Sequence, residues 1–369
     1  MFDVGQDEID AISKVILSKK LFRYQGKDVE TECSLFEKEF SKYLNVEKTI
    51  LLSSGTNAIV TALFALGIKA GDEVLIPSYT FFATISAVIE IGATPVLVNV
   101  DEKLQIDFNE AELKISAKTK AIIAVHMDGI SCDMNRYIEF KLKYNLFLIE
   151  DCAQAVGGEF EGKKLGSIGD VGCFSFNVDK IITCGEGGAI SFSKVELYQK
   201  AMMFHDTCNQ FGPTLRDTYA IEPLVGKSMR VSEIQGAMMR VQLKKLDQIL
   251  EKLKVYNLLL KNELDNKQFK VIKYKEEDCC GTTLKIKFSD PFEMKNNIIR
   301  FNSIGLKSMP LLMRPGHNLF YWDKLLNKYI TFHKSNFLDS INHLSGTMIV
   351  YVSLEDSIEA WKEKIKSII

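Results

Sequence analysis

The sequence has no apolar run long enough to cross a bilayer, so it predicts no membrane-spanning helix. Its first ten residues, MFDVGQDEID, are acidic and polar, which predicts no secretory signal. Neither charge dominates: 46 basic and 48 acidic residues leave a formal net charge of -2. That balance gives no electrostatic footprint for nucleic acid or an anionic membrane. The eight cysteines form no C-x-x-C pair, and only Cys279 and Cys280 are adjacent. His126, His205, His317, His333 and His343 show no ligand spacing either. We therefore expect no metal site, no disulfide scaffold, and reduced thiols in a cytoplasmic protein.

What is present is a long alternation of short apolar runs and helical patterns. Residues 1–45 read as amphipathic helical segments, with an irregular stretch near Phe22–Gly26. Strands are expected at Thr49–Leu52, Glu73–Pro77, Pro95–Val100, Ala121–His126, Leu146–Glu150, Val171–Phe176 and Ala189–Phe192. They are continuously apolar, the mark of a mostly parallel sheet covered on both faces by crossover helices. Such helices are expected at Thr56–Gly67, Thr80–Ile91 and Met134–Tyr144. A long helix from about Arg230 to Leu264 follows, then strands at Lys270–Tyr274, Thr283–Phe288 and Met348–Val352. Helices near Lys295–Ile304 and Ser357–Ile369 complete this part. With 369 residues, one core is unlikely to serve the whole chain. The expectation is a large doubly wound domain over 1–245 and a smaller C-terminal α/β domain over 246–369.

Three segments stand out chemically. Ser53-Ser54-Gly55-Thr56-Asn57 precedes an apolar helix, so its N–H groups offer either an anion site or an ordinary N-cap. Glu150-Asp151 ends an apolar strand, where open α/β sheets bind ligands. Lys180 lies between the strand Phe174-Ser175-Phe176 and the turn Gly185–Gly188, an odd place for a residue that prefers solvated surfaces. A desolvated lysine has a lowered pKa and can condense with a carbonyl. A phosphate cradle, an anion and an amine are what pyridoxal 5'-phosphate requires.

These pieces sit in S-G-T-N-A at 54–58, G-D-E-V-L-I-P at 71–77, E-D-C-A-Q-A at 150–155, G-D-V-G-C-F-S-F at 169–176, K-I-I-T-C-G-E-G-G-A at 180–189 and R-V-S-E-I-Q-G-A at 230–237. In that order the chain resembles the DegT/DnrJ/StrS family of sugar aminotransferases from about Leu21 to Leu246, and more weakly to its end. The resemblance implies the aspartate-aminotransferase type fold (pyridoxal-phosphate fold type I), with a large mixed sheet. It implies Lys180 as the Schiff-base lysine and Asp151 as the acid beside the pyridine nitrogen. Gln154 matches the contact to the ring hydroxyl, Gly55, Thr56 and Ser175 match phosphate contacts, and Phe81 matches the ring-stacking aromatic. One departure is Ser228, preceded by Lys227, where relatives carry an asparagine that reaches the cofactor phosphate of a neighbouring subunit.

The resemblance further implies a homodimer, L-glutamate or another amino donor, and a keto sugar acceptor. His126, His205, Arg23 and Arg314 are the candidate substrate contacts. Within the family the chain looks most like the branch containing the 8-amino-3,8-dideoxy-manno-octulosonate transaminase. That likeness lies in Phe22–Tyr24, Val125–Met127, Lys180–Gly188, Met203–Asp206 and Phe320–Trp322. It implies an acidic sugar of lipopolysaccharide; a nucleotide-linked keto sugar is the alternative acceptor. A sugar dehydratase on the same fold is a further alternative, against which Lys180 argues because such relatives often carry histidine there. A non-catalytic cofactor-binding regulator is the third.

Overall fold

The computed structural model describes residues 3–25, 29–208, 225–317 and 322–368. Gly26, Phe320 and Tyr321 of the segments above lie outside them. Seven strands form the larger sheet: β1 (Lys48–Leu52), β2 (Glu73–Pro77), β3 (Thr94–Val98), β4 (Thr119–Val125), β5 (Phe147–Asp151), β8 (Val171–Ser175) and β9 (Gly188–Phe192). A short hairpin of β6 (Glu159–Phe160) and β7 (Lys163–Lys164) lies outside it. The sheet order is β1-β9-β8-β5-β4-β2-β3. The pairs β3–β2, β2–β4, β4–β5 and β5–β8 are parallel, and β9 runs antiparallel to both of its neighbours.

The continuous apolar runs behave as expected of a sheet covered twice. All five residues of β8 and all five of β9 are buried, as are six of the seven in β4. Parallel pairing also gathers the carboxyl ends of β4, β5 and β8 on one edge, which is where the site lies.

The smaller sheet comprises β10 (Lys270–Val271), β11 (Thr283–Lys287), β12 (Ser308–Pro310) and β13 (Thr347–Tyr351), in the order β10-β11-β13-β12, all antiparallel. The expected strand Lys270–Tyr274 is only two residues long. It is an edge strand, paired to β11 alone, and Ile272 makes its one further bond to Lys285 O before the chain leaves.

One 34-residue helix, Glu233–Asn266, joins the two parts. Its Ser232 caps the start through Gln235, and its buried stripe runs from Gly236 through Leu246, Leu250, Leu253 and Leu260 to Leu264. The first half packs on the helices Gln6–Ser18 and Glu32–Leu44, the second on β10, β11 and the helix Ile358–Lys366. The residue pair 245/246 falls inside this helix, with no break in it. No helix among the described residues is long and apolar enough to cross a membrane. All eight cysteines are free thiols.

Candidate active site

The carboxyl ends of β4, β5 and β8, the N-terminus of the helix Gly55–Ala65 and the edge of the smaller sheet enclose a cavity of roughly 1000 Å³. Gly55, Thr56, Phe81, Asp151, Gln154, Ser175 and Lys180 all line it, so segments spread over more than a hundred residues meet in one cavity.

Asp151 is the last residue of β5. One carboxylate oxygen accepts from Thr84 Oγ1 at 2.8 Å and the other from Ala153 N at 3.1 Å. Thr84 is itself held by Thr80 at 2.8 Å. Burial pushes the Asp151 pKa up, opposed by the Thr84 and Ala153 hydrogen bonds and by the charge of Lys180. Burial likewise lowers the Lys180 pKa, opposed by Asp151. Lys180 rides on a loop closed against β8: Phe176 N donates to Gly187 O at 2.8 Å, and Cys184 N to Phe176 O at 3.1 Å. The Lys180 amide donates to Asn177 O at 3.0 Å, which fixes the backbone under the amine.

Ser54 is the N-cap of the helix Gly55–Ala65, accepting from Asn57 N. The N-cap reading is what the hydrogen bond shows, and the first N–H groups of the helix, which have no partner within it, border the cavity. Close approach demands the glycines here. A Cβ on Gly55 would lie 2.8 Å from Ser175 Cβ, and one on Gly188 would lie 2.4 Å from the Ser54 carbonyl.

Phe81 is 46% exposed, and its centroid lies 5.0 Å from that of His317. His317 Nδ1 pairs with Pro315 O at 2.7 Å, so it carries the hydrogen and leaves Nε2 to accept from Gln154 Nε2 at 3.4 Å. Gln154 Oε1 in turn accepts from Asp128 N at 3.0 Å. Burial first, then the charge of Arg314, lowers the His317 pKa to about 4, so it is neutral near pH 7.

The candidate substrate contacts divide. Arg314 lines the cavity and pairs with Asp128. His126 backs the same wall, but its ring is fully buried: Nε2 meets Glu150 at 3.2 Å and Nδ1 accepts from Cys132 N at 3.1 Å. Arg23 and His205 are not brought to the cavity. Arg23 is buried with Glu37 at 2.7 Å and donates to Leu51 O at 3.2 Å; His205, fully buried, pairs its Nδ1 with Met202 O at 2.8 Å. They form a packed polar cluster behind β1, which is a correction to their reading as substrate contacts within one chain. Ser228 is exposed, bridged to Asp206 and outside this cavity; its neighbour Lys227 pairs with Glu90.

His126, Glu150 and Cys152 bring three candidate ligand atoms within 4.8 Å of one another. Glu150 is already committed to the amides of Gly166, Ile168 and Gly169, and the His126 nitrogens are in use, so the group reads as a structural brace.

Sequence reasoning passed over Asp128, Thr84, Tyr79 and Lys285. Asp128 follows the carboxyl end of β4, so the strand-end rule that singled out Asp151 applies to it equally.

The donor set fits pyridoxal phosphate on this structure's own terms. An anion buried at a strand end suits a protonated ring nitrogen, a desolvated amine suits an aldehyde, and a helix N-terminus opened by Gly55 suits a phosphate.

The model of the DegT/DnrJ/EryC1/StrS aminotransferase family matches residues 3–337. A GDP-perosamine synthase of Caulobacter vibrioides is 41% identical over 216 residues, covering 58% of this chain and 57% of that protein. The L-glutamine:2-deoxy-scyllo-inosose aminotransferase of Streptomyces kanamyceticus is 35% identical over 250 residues, covering 65% and 58%. The chain's matches thus span somewhat over half the length of these relatives. An aminotransferase from Psychrobacter cryohalolentis superposes with a TM-score of 0.86 at 27% identity, covering 99% of this chain and 96% of that one.

Proposed function

The chain belongs to the DegT/DnrJ/EryC1/StrS aminotransferase family, and from that premise we propose that it moves the amino group of L-glutamate, or of glutamine, onto a keto or aldehydo sugar. Its cofactor is pyridoxal 5'-phosphate. The observation that carries the reading is the meeting of Asp151, Lys180 and the Gly55–Thr56 helix start in one cavity.

When bound, the cofactor supplies an electron sink for the carbon that gains or loses the amino group. The chain's residues do the rest. Asp151, steadied by Thr84, keeps a proton on the ring nitrogen. The Lys180 amine, favoured in its uncharged form by burial, would hold the cofactor aldehyde; once displaced, Nζ would carry a proton between the substrate carbon and the cofactor carbon on the far side of the transferred nitrogen. The helix start and Ser175 would hold the phosphate, Gln154 the ring hydroxyl, and Phe81 would stack on the ring. In a homodimer with its sites between subunits, Ser228 would contact the phosphate of the neighbouring subunit's site.

The acceptor in this reading is an acidic sugar with a carboxylate of its own, of the octulosonate type found in lipopolysaccharide. The Arg314 guanidinium in the cavity wall fits that carboxylate, and would fit a diphosphate equally. A second reading, a nucleotide-linked keto sugar, is favoured by the 41% identity to a GDP-perosamine synthase. The test offers glutamate or glutamine with 8-oxo-3-deoxy-manno-octulosonate beside UDP-, dTDP- and GDP-linked keto sugars, followed by product mass spectrometry. Amination of the octulosonate alone supports the first reading; amination of a nucleotide sugar alone replaces it with the second. No transfer to any acceptor, and no release of 2-oxoglutarate from glutamate or of 2-oxoglutaramate from glutamine, would remove the aminotransferase proposal itself.

A further inference from the structure

Asp128 holds an unusual position. Its φ of 62° is left-handed, followed by Gly129 at 76°. That conformation is uncommon for a residue with a side chain and persists where surroundings enforce it. Here the Asp128 amide donates to Gln154 Oε1 at 3.0 Å. Its carbonyl accepts from Thr282 Oγ1 at 2.7 Å and Thr283 Oγ1 at 3.2 Å. The bent backbone is thus bolted to the ring-facing glutamine on one side and to the start of β11 on the other.

The bend delivers a buried carboxylate into a group of cations. Lys285 Nζ lies 3.0 Å from one oxygen, Tyr79 donates to the same oxygen at 2.9 Å, and the Arg314 guanidinium pairs with the other. Arg314 also donates to the Tyr79 hydroxyl at 3.3 Å. The Lys285 side chain is 2% exposed and stands behind Asp128, whereas Asp128 and Arg314 line the cavity. One carboxylate facing two cations leaves a net single positive charge. An Arg314–Asp128 pair alone would be neutral and would exert little pull on a substrate anion; Lys285 breaks that neutrality. Uncompensated buried charge is costly, and beside a cavity it is relieved when an anion enters. The neighbouring wall is of the same sign, with Lys307 and Arg314 each over the Tyr351 ring, at 5.3 and 5.6 Å. Acidic groups that also line the cavity are Asp179 and Glu186 from the Lys180 loop, Asp151 at the end of β5, and Glu355 beyond β13.

We propose that Asp128 is a positioning residue that aims the Arg314 fork at a substrate carboxylate, and that Lys285 is the second cation that keeps this group net positive, so the site selects carboxylate-bearing substrates. The proposal rests on the reading of Arg314 as a substrate contact, and adds to it the two residues that give that contact its direction and its charge.

The test measures binding of glutarate, an unreactive dicarboxylate, to the cofactor-loaded protein by calorimetry, so it needs no turnover. Lys285→Met removes a cation that does not border the cavity and should weaken glutarate roughly tenfold. Asp128→Asn leaves more positive charge, so a wall acting by charge alone would bind glutarate more tightly. Positioning predicts weaker binding, again by roughly tenfold or more. The double variant Asp128→Asn with Lys285→Met restores the wild-type net charge and covers the case in which a single variant does not fold. It too should bind weakly, and the KM for glutamate should rise more than kcat falls. Wild-type or tighter affinity in Asp128→Asn and in the double variant overturns the positioning role; unchanged affinity in Lys285→Met overturns the second cation's part. An active aminotransferase with those results loses only this inference. Glutarate binding through Asp128 in a protein that aminates nothing leaves the inference standing and removes the proposed reaction.

Discussion

The two walls of the cavity are built differently. The larger-sheet wall presents Asp151 and Ser175 at strand ends, the Gly55 helix start, and Lys180 on the loop that follows β8. The smaller-sheet wall presents Arg314, Lys307 and Tyr351, with Asp128 pinned between the two sheets. The first wall carries one amine and one acid, each pushed toward its uncharged form by burial; for Lys180 that suits a proton carrier, and for Asp151 it is opposed by Thr84, Ala153 N and the Lys180 charge. The second carries permanent charge, with burial pushing the Asp128 pKa up and Lys285 and Arg314 more than reversing it. The one group that must change protonation, Lys180, stands on the wall opposite the Arg314–Asp128 pair.

The comparison is broken most severely at Lys180. Lys180→Ala should lower kcat by about 10⁴-fold, the upper range for a positioned proton carrier, while calorimetric glutarate binding persists. Borohydride reduction of the loaded protein followed by peptide mapping should put the pyridoxyl group on Lys180; a label on another lysine would refute the assignment. Asp151→Asn keeps the shape and removes the charge, with an expected loss of about 10²- to 10³-fold in kcat and a smaller change in cofactor affinity. Turnover near wild type in that variant would erase the division between the walls.

Gly55→Ala tests the cradle alone. The added methyl meets Ser175 Cβ at 2.8 Å, so the turn must shift at a cost of about 1–3 kcal/mol, read as weaker cofactor retention by absorbance titration. Unchanged retention would mean that the helix start does not hold the phosphate.

The smallest effect separates the sites from their supports. His205 and His317 are neutral in the fold, with pKa values lowered to about 3 and about 4, by burial and by neighbouring Arg23 and Arg314 respectively. Unfolded histidine titrates near 6.5, so the unfolded chain binds the extra protons as pH falls below that value. Stability is therefore full above about pH 6.5 and lost as pH falls toward the folded values, with a slope of about 1.4 kcal/mol per pH unit for the proton of buried His205. Denaturant titrations between pH 7 and 4 should show a shallower slope in His205→Asn, and an identical slope would contradict its neutral burial.

These walls also differ in how far the sequence reveals them. Asp151 and Lys180 stand in contiguous segments whose local pattern, apolar strand then acid or glycine-rich turn, survives without three-dimensional knowledge. Asp128 obeys the same strand-end rule but gains its meaning from Lys285 and Arg314, which the chain supplies much later. Arg23 and His205 show the reverse. Their segments resemble ones near a substrate, yet Glu37 and the floor of β1 draw them inward. Strands of the larger sheet are legible because burial on both faces forces continuous apolar runs. The helix Val195–His205 is not, because its buried residues crowd into Ala201–His205 rather than recurring at helical spacing.

The helix Glu233–Asn266 has a mechanical consequence. At 34 residues it is a rod of about 50 Å. Arg240 clamps it near one end to Glu32 and Glu39, and farther along Tyr256 O accepts from the Trp361 indole at 3.1 Å. A rod packed at one end on the helices Gln6–Ser18 and Glu32–Leu44 and at the other on the smaller sheet transmits the loss of either contact to the other. Heating should therefore melt the described molecule in one calorimetric transition rather than two, and amides in the middle of the rod should exchange only through that global event.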